Sequence, residues 1–166
     1  MAVATQVAVS TYLTTLYHPD CDYVDGVLEE RNVGEKDHSK LQMAIAAYLY
    51  ARRKELGIQV FPEQRIQVTP SLFRVPDICV TVVEPEEQVL TNPPFLCVEI
   101  LSPEDRASRI LKKVNDYLRI GVKFVWTIDP ESHDAIVYHQ QGTSPAKDGL
   151  LWTADPDVQV RIADLP

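Results

Sequence analysis

The chain has 166 residues, 45% of them hydrophobic, which suits one compact domain and is short for two. Its formal net charge of −8 counts against a general nucleic-acid coat, because phosphate binding draws most of its affinity from Lys and Arg. A metal with a local cluster such as Arg52-Arg53-Lys54, or Arg106, Arg109, Lys112 and Lys113, can still hold a phosphate inside an acidic envelope.

No apolar stretch approaches the roughly 20 residues that span a bilayer. The start, Met1-Ala2-Val3-Ala4-Thr5-Gln6, lacks the basic region of a secretory signal. Cys21, Cys79 and Cys97 lie far apart with no C-x-x-C pair, so neither a disulfide framework nor a common zinc site is supported. We therefore expect a cytoplasmic protein with reduced thiols and no membrane association.

In chain order, Tyr23-Val24 and Val27-Leu28 flank Asp25-Gly26, a two-residue turn whose positions tolerate positive φ, and predict a hairpin. Over residues 38–56, Leu41, Ile45, Tyr48, Leu49 and Leu56 recur at helical spacing, and Gly57 closes the pattern as a C-terminal cap. Residues 58–68, 75–83 and 95–101 are rich in β-branched side chains and read as three successive strands, with 85–94 a connecting loop. Pro103-Glu104-Asp105 opens a second helix running to about residue 120, before Gly121. Residues 123–128 form a strand, and 135–139, 150–153 and 158–162 read as short antiparallel edge strands. No internal repeat or linker divides the chain, so we expect one domain over 1–166, with a core at about 23–130 and a β tail at 131–166.

Two acids stand inside apolar runs: Asp77 in Arg74-Val75-Pro76-Asp77-Ile78-Cys79-Val80, and Glu99 in Phe95-Leu96-Cys97-Val98-Glu99-Ile100-Leu101. A buried charge is expensive unless paired. Two of them, with Lys112-Lys113 a short helix later, suggest a divalent metal site with a cationic helper, a constellation that breaks phosphodiester bonds. Strand alternation puts Asp77, Cys79 and Thr81 on one face, and likewise Cys97 and Glu99. If these strands are adjacent and antiparallel, the register that sets Asp77 opposite Glu99 also sets Cys79 opposite Cys97. At ~100° per residue, Ile110, Val114, Tyr117 and Leu118 define the apolar face of the second helix, Lys113 falls at its edge and Lys112 points away. Lys113 is thus the inward lysine.

The run Tyr23-Val24-Asp25-Gly26, His38-Ser39, Val75-Pro76-Asp77, Val98-Glu99-Ile100-Leu101-Ser102-Pro103, Lys113 with Tyr117, Gly121-Val122 and Val125-Trp126-Thr127-Ile128-Asp129-Pro130 resembles the Uma-type family. That family is abundant in cyanobacteria and other bacteria and is assigned to the PD-(D/E)XK restriction-endonuclease-like superfamily. The resemblance implies an α/β fold of the α+β kind, a mixed sheet with flanking helices, here with an N-terminal β-hairpin and a C-terminal β tail. It also implies Asp77 and Glu99 as metal-binding carboxylates. The superfamily's lysine two residues after the second acid is replaced by Leu101, and Lys113 matches a position to which the family relocates it. Arg109 stands where relatives are expected to carry an Asp.

The expected activity is that of a Mg2+-dependent endonuclease, with Mn2+ as a substitute ion and nucleic acid, DNA in the first place, as substrate. Asp77, Glu99 and the Ile100 carbonyl would hold the metal, and Lys113 would orient the nucleophile or neutralise the pentacovalent state. Further candidates are His38, near the scissile phosphate, and Glu63 and Glu30 as additional acids. Each residue also has a plain structural role open to it. Asp77 can accept backbone hydrogen bonds at a strand start, Glu99 can be salt-bridged to Lys113, His38 can be exposed beside a capping Asp37 or Ser39, and Glu63 can be a solvated side chain. Cys79 and Cys97 read as small core residues, and Tyr117 and Trp126 as core aromatics whose polar atoms need partners. A homodimer is expected, because cutting both strands of a duplex needs two sites and the β tail offers edges for pairing. The alternative is a catalytically silent nuclease-fold module that binds protein or DNA partners.

Overall fold

The computed structural model describes residues 6–31, 35–103 and 105–165, so readings that fall on residues 1–5, 32–34, Glu104 and Pro166 lie outside the described residues. A short helix, α1 (Val9–Thr14), precedes the hairpin and was not expected from the sequence. It buries Tyr12 against Tyr23 and Phe73, with ring centroids 5.0 and 5.5 Å apart. The hairpin follows as predicted, β1 (Cys21–Val24) and β2 (Val27–Glu30) turning through Asp25 and Gly26 at φ 48° and 91°.

The first long helix is α2 (Lys36–Ala51), interrupted at Arg52 and continued by one turn, α3 (Arg53–Leu56), which Gly57 ends in the left-handed region at φ 65°. The predicted strand at 58–68 is two strands, β3 (Gln59–Pro62) and β4 (Ile66–Thr69), in different sheets. The chain turns between them at Glu63, whose φ is 52°. The predicted strand at 75–83 is the shorter β6 (Ile78–Thr81) of the larger sheet, and a strand not expected from the sequence, β5 (Leu72–Arg74), precedes it in the hairpin sheet. Pro76 has no N–H to give a ladder, so pairing stops there and Asp77 sits in the junction rather than in a strand.

β7 (Leu96–Ile100) leads to α4 (Ala107–Ile120), which starts later than the sequence suggested. The segment before it is a turn in which the Ser102 N–H donates to Asp105 Oδ2 at 2.8 Å. β8 (Phe124–Ile128) and β9 (Ala135–His139) follow, then β10 (Gly142–Pro145), a strand missed in the sequence. β11 (Leu150–Trp152) and β12 (Gln159–Arg161) close the chain as a two-stranded ribbon.

The hairpin sheet has the order β2-β1-β5-β4, and the larger sheet β10-β9-β8-β7-β6-β3. β9 is therefore interior, a correction to its reading as an edge strand. β7 and β8 are parallel, as a crossover through α4 requires, and their other sheet neighbours are antiparallel. Alternation along these strands divides the large sheet into two faces. Ile78, Val80, Leu96, Val98, Ile100 and Trp126 pack against Leu41, Ile45 and Leu49 of α2, and Leu151, Val158 and Val160 of the tail join that cluster. Cys79, Cys97 and Val125 face Ile110, Val114 and Tyr117 of α4. The register sets Ile78 opposite Val98 and Cys79 opposite Cys97, so continuing it by one residue brings Asp77 to Glu99.

Candidate active site

Asp77 ends up 3% exposed at the junction between the sheets. Its Oδ2 accepts the Ile100 N–H at 2.7 Å and lies 3.4 Å from His38 Nε2, while Arg31 donates to its Oδ1. The Asp77 carbonyl accepts from the Gln42 side chain and from the Glu63 N–H, at 3.0 and 3.1 Å. Burial pushes the carboxyl up, but the His38 hydrogen bond and the Arg31 charge outweigh it and hold Asp77 below its ordinary value.

Glu99, 4% exposed, extends from β7 toward α4. Its Oε2 receives Lys113 Nζ at 3.0 Å and its Oε1 the Tyr117 hydroxyl at 2.6 Å. Lys113 and Tyr117 are one helical turn apart and so reach the same carboxylate. Burial raises the Glu99 carboxyl; Lys113 opposes this, but the charges of Asp77 and Asp22 reinforce it, and the net shift is upward. The lysine assignment from helix geometry holds: the Lys113 side chain is 7% exposed and that of Lys112 55%. Tyr117 has the buried polar partner its position required.

Asp77, Glu99, Lys113, His38, Arg31 and Arg109 line one cavity of about 30 Å³, together with Ile100 and Ser102. That is room for a water-sized group. His38 presents a buried Nδ1 that has no hydrogen-bond partner among the described residues. Its Asp77 contact raises the imidazole pKa, against burial. Glu63 and Glu30 are not among the lining residues. The Glu63 side chain is 55% exposed and 3.5 Å from Arg31, and Glu30 gives its backbone carbonyl to Arg109 at 2.7 Å.

Behind the cavity lies an ion cluster that the sequence reading did not single out. Arg74, 1% exposed, meets Asp22 at 3.1 Å, Glu29 at 3.0 Å and Asp116 at 2.8 Å. Asp22 also lies 3.5 Å from Lys113. The signal that marked Asp77 was present here too, since Arg74 follows Leu72-Phe73 and precedes Val75. Arg31, at the end of the hairpin, carried no comparable signal.

The side chains fit a hard divalent cation in chemistry. Mg2+ commonly keeps several waters and takes one or two carboxylates, and Asp77 and Glu99 offer two. A carboxylate has about four lone-pair sites; Asp77 has three partners and Glu99 two, so acceptor capacity remains on both. No third His, Cys, Asp or Glu joins them in a ligand cluster among the described residues.

A crystal structure from Anabaena variabilis, described as that of "a putative nuclease belonging to DUF820", superposes on this chain with a TM-score of 0.82. The alignment covers 95% of this chain and 96% of that one at 22% identity, a likeness of fold. No match is found among curated proteins. The family model Uma2, described as "Putative restriction endonuclease", matches residues 11–161, nearly the whole chain and all the cavity side chains named above, and the chain belongs to that family.

Proposed function

We propose that the protein is a Mg2+-dependent endonuclease that hydrolyses phosphodiester bonds of DNA and works as a homodimer. The observation that carries this reading is the convergence of Asp77 from the β5–β6 junction, Glu99 from β7 and Lys113 from α4 on one small polar cavity. Asp77 and Glu99, with the Ile100 carbonyl, would hold the ion. When bound, it supplies Lewis-acid stabilisation of a phosphoryl oxygen and a more acidic water. Lys113 offers a full positive charge to the oxygens that carry the negative charge of the pentacovalent state, in a setting where burial strengthens the interaction. The free Nδ1 of His38 supplies a hydrogen-bonding atom beside the reacting group, and Arg109 a cation for a flanking phosphate at the rim.

Purified protein is expected to cut DNA with Mg2+ or Mn2+, to stop in EDTA, and to lose activity in Asp77→Ala and Glu99→Ala. Activity surviving in both variants would place the chemistry elsewhere. One observation favours a second reading, a catalytically silent binding module: both carboxylates already carry a cationic partner, Arg31 and Lys113. That reading requires metal-independent DNA or protein binding with no cleavage.

A further inference from the structure

We propose that Asp22 is a positioning residue for Lys113, anchoring its ammonium in the cavity independently of Glu99. Its catalytic meaning rests on the endonuclease reading; the contact itself does not. Asp22 is 0% exposed, and neither of its oxygens is free. Oδ1 accepts the Val75 N–H at 2.8 Å, and Oδ2 faces Arg74 at 3.1 Å and Lys113 at 3.5 Å.

Charge counting shows why an acid stands there. Arg74 already meets two other carboxylates, Glu29 and Asp116, at 3.0 and 2.8 Å. Those two also reach outer cations, Lys112 at 4.0 Å and Arg119 at 3.2 Å. The connected cluster thus sets four cations, Arg74, Lys112, Lys113 and Arg119, against four carboxylates, Asp22, Glu29, Glu99 and Asp116, and Asp22 is the carboxylate that lies between the two buried cations, Arg74 and Lys113. The buried Lys113 ammonium lies 3.0 Å from Glu99 Oε2 and 3.5 Å from Asp22 Oδ2, so two carboxylates share the compensation of its charge.

The arrangement has a function if Glu99 turns to a metal. Its Oε2 would then be shared, and the ammonium would face a second cation across the cavity. Asp22 keeps Lys113 in place because it cannot follow: the Val75 amide and Arg74 fix it, and Arg74 is tied to α4 through Asp116. The Val75 amide is two residues before Asp77, so one carboxylate steadies both the lysine and the approach to the first acid.

The test is a set of double-mutant cycles on the full chain. In urea unfolding of metal-free protein, Asp22→Asn and Lys113→Met should be non-additive by at least about fivefold in the folding equilibrium constant, also in a Glu99→Gln background. Effects that simply multiply in that background overturn the proposal. With Mn2+ and DNA, Asp22→Asn should slow single-turnover cleavage at least about tenfold with KM unchanged, and slow the Lys113→Met variant no further. A change in KM alone, or an equal loss on top of Lys113→Met, overturns it.

Should Asp22→Asn fail to fold, Glu99→Gln alone decides by reductive methylation and peptide mass spectrometry. Lys113 should remain at least about tenfold slower to modify than Lys112, because Asp22 still holds it; equal rates refute the anchor. A wild type that cleaves nothing refutes the endonuclease reading, and the unfolding cycle still rules on Asp22.

Discussion

The two faces of the large sheet are built by alternate residues of the same strands; both bury apolar clusters, but only one carries the polar site. Toward α2, Ile78, Val80, Leu96, Val98 and Ile100 make an apolar layer completed by Trp126. Toward α4, small Cys79 and Cys97 leave space, and the register line that contains them runs on to Asp77 and Glu99 at the strand ends. The difference shows how a fold carries a costly polar site. Both faces supply burial free energy, and the α4 face combines it with small thiols beside which a lysine and a tyrosine from α4 reach a carboxylate. Because side chains alternate, a one-residue slip would exchange the two roles entirely.

Breaking the apolar face should give the largest effect. Trp126→Ala removes a fully buried ring and its 3.0 Å bond to the Trp152 carbonyl, and should cost about 3–5 kcal/mol in urea unfolding. A cost under about 1 kcal/mol would mean the layer is not a packed core.

On the polar face, Asp77→Asn should destabilise the metal-free protein by about 1–3 kcal/mol, because Arg31 and His38 lose a charged acceptor. Melting temperature without metal measures this. A rise would show that repulsion between the two acids dominates, and would speak for a site held under strain. The sign with pH follows from the lowered Asp77 carboxyl. Its pairing is present above the unfolded carboxyl value and is lost as pH falls through the folded one, so wild-type stability should decline on acidification below about pH 5. Asp77→Asn should flatten that decline. Glu99 works in the opposite sense: its raised carboxyl takes up a proton first, and this partly offsets the loss.

Lys113→Ala should slow cleavage at least about tenfold, equivalent to about 1.4 kcal/mol, whereas Lys112→Ala should change stability by less than about 0.5 kcal/mol and the rate little. Equal losses at the two lysines would remove the distinction between an inward and an outward charge.

Much of this arrangement could be read from the residues. Helical spacing located α2 and α4, and the Cys79–Cys97 pairing was found by asking which register would serve the two acids. Where the reading failed, local signals were weak or outvoted. The six residues of α1 carry no capping side chain, and Gly-Thr-Ser-Pro hides β10. Residues 58–68 look continuous in hydrophobicity, yet Glu63 diverts the chain between sheets, and the three residues of β5 before Val75-Pro76 are too few to stand out as a strand. Arg74 stood out as a charge in an apolar run, but the ion pairs of Arg31 and Arg74 could not be read for a different reason. Their partners are 42–52 residues away for Arg74 with Asp116, Glu29 and Asp22, and 46 away for Arg31 with Asp77, so only the assembled sheets bring them together.

Between β5 and β6 the chain passes from the hairpin sheet to the large sheet through three residues, Val75, Pro76 and Asp77. A junction this short has no slack, so a residue inserted there could not be absorbed as a bulging loop and would shift Asp77 against Glu99. The turn between β9 and β10, at Gln140-Gln141, is exposed at its tip and joins an outer strand. If the protein were opened to graft a recognition module, that turn is the place to cut, and 75–77 is where the joined backbone must be left whole.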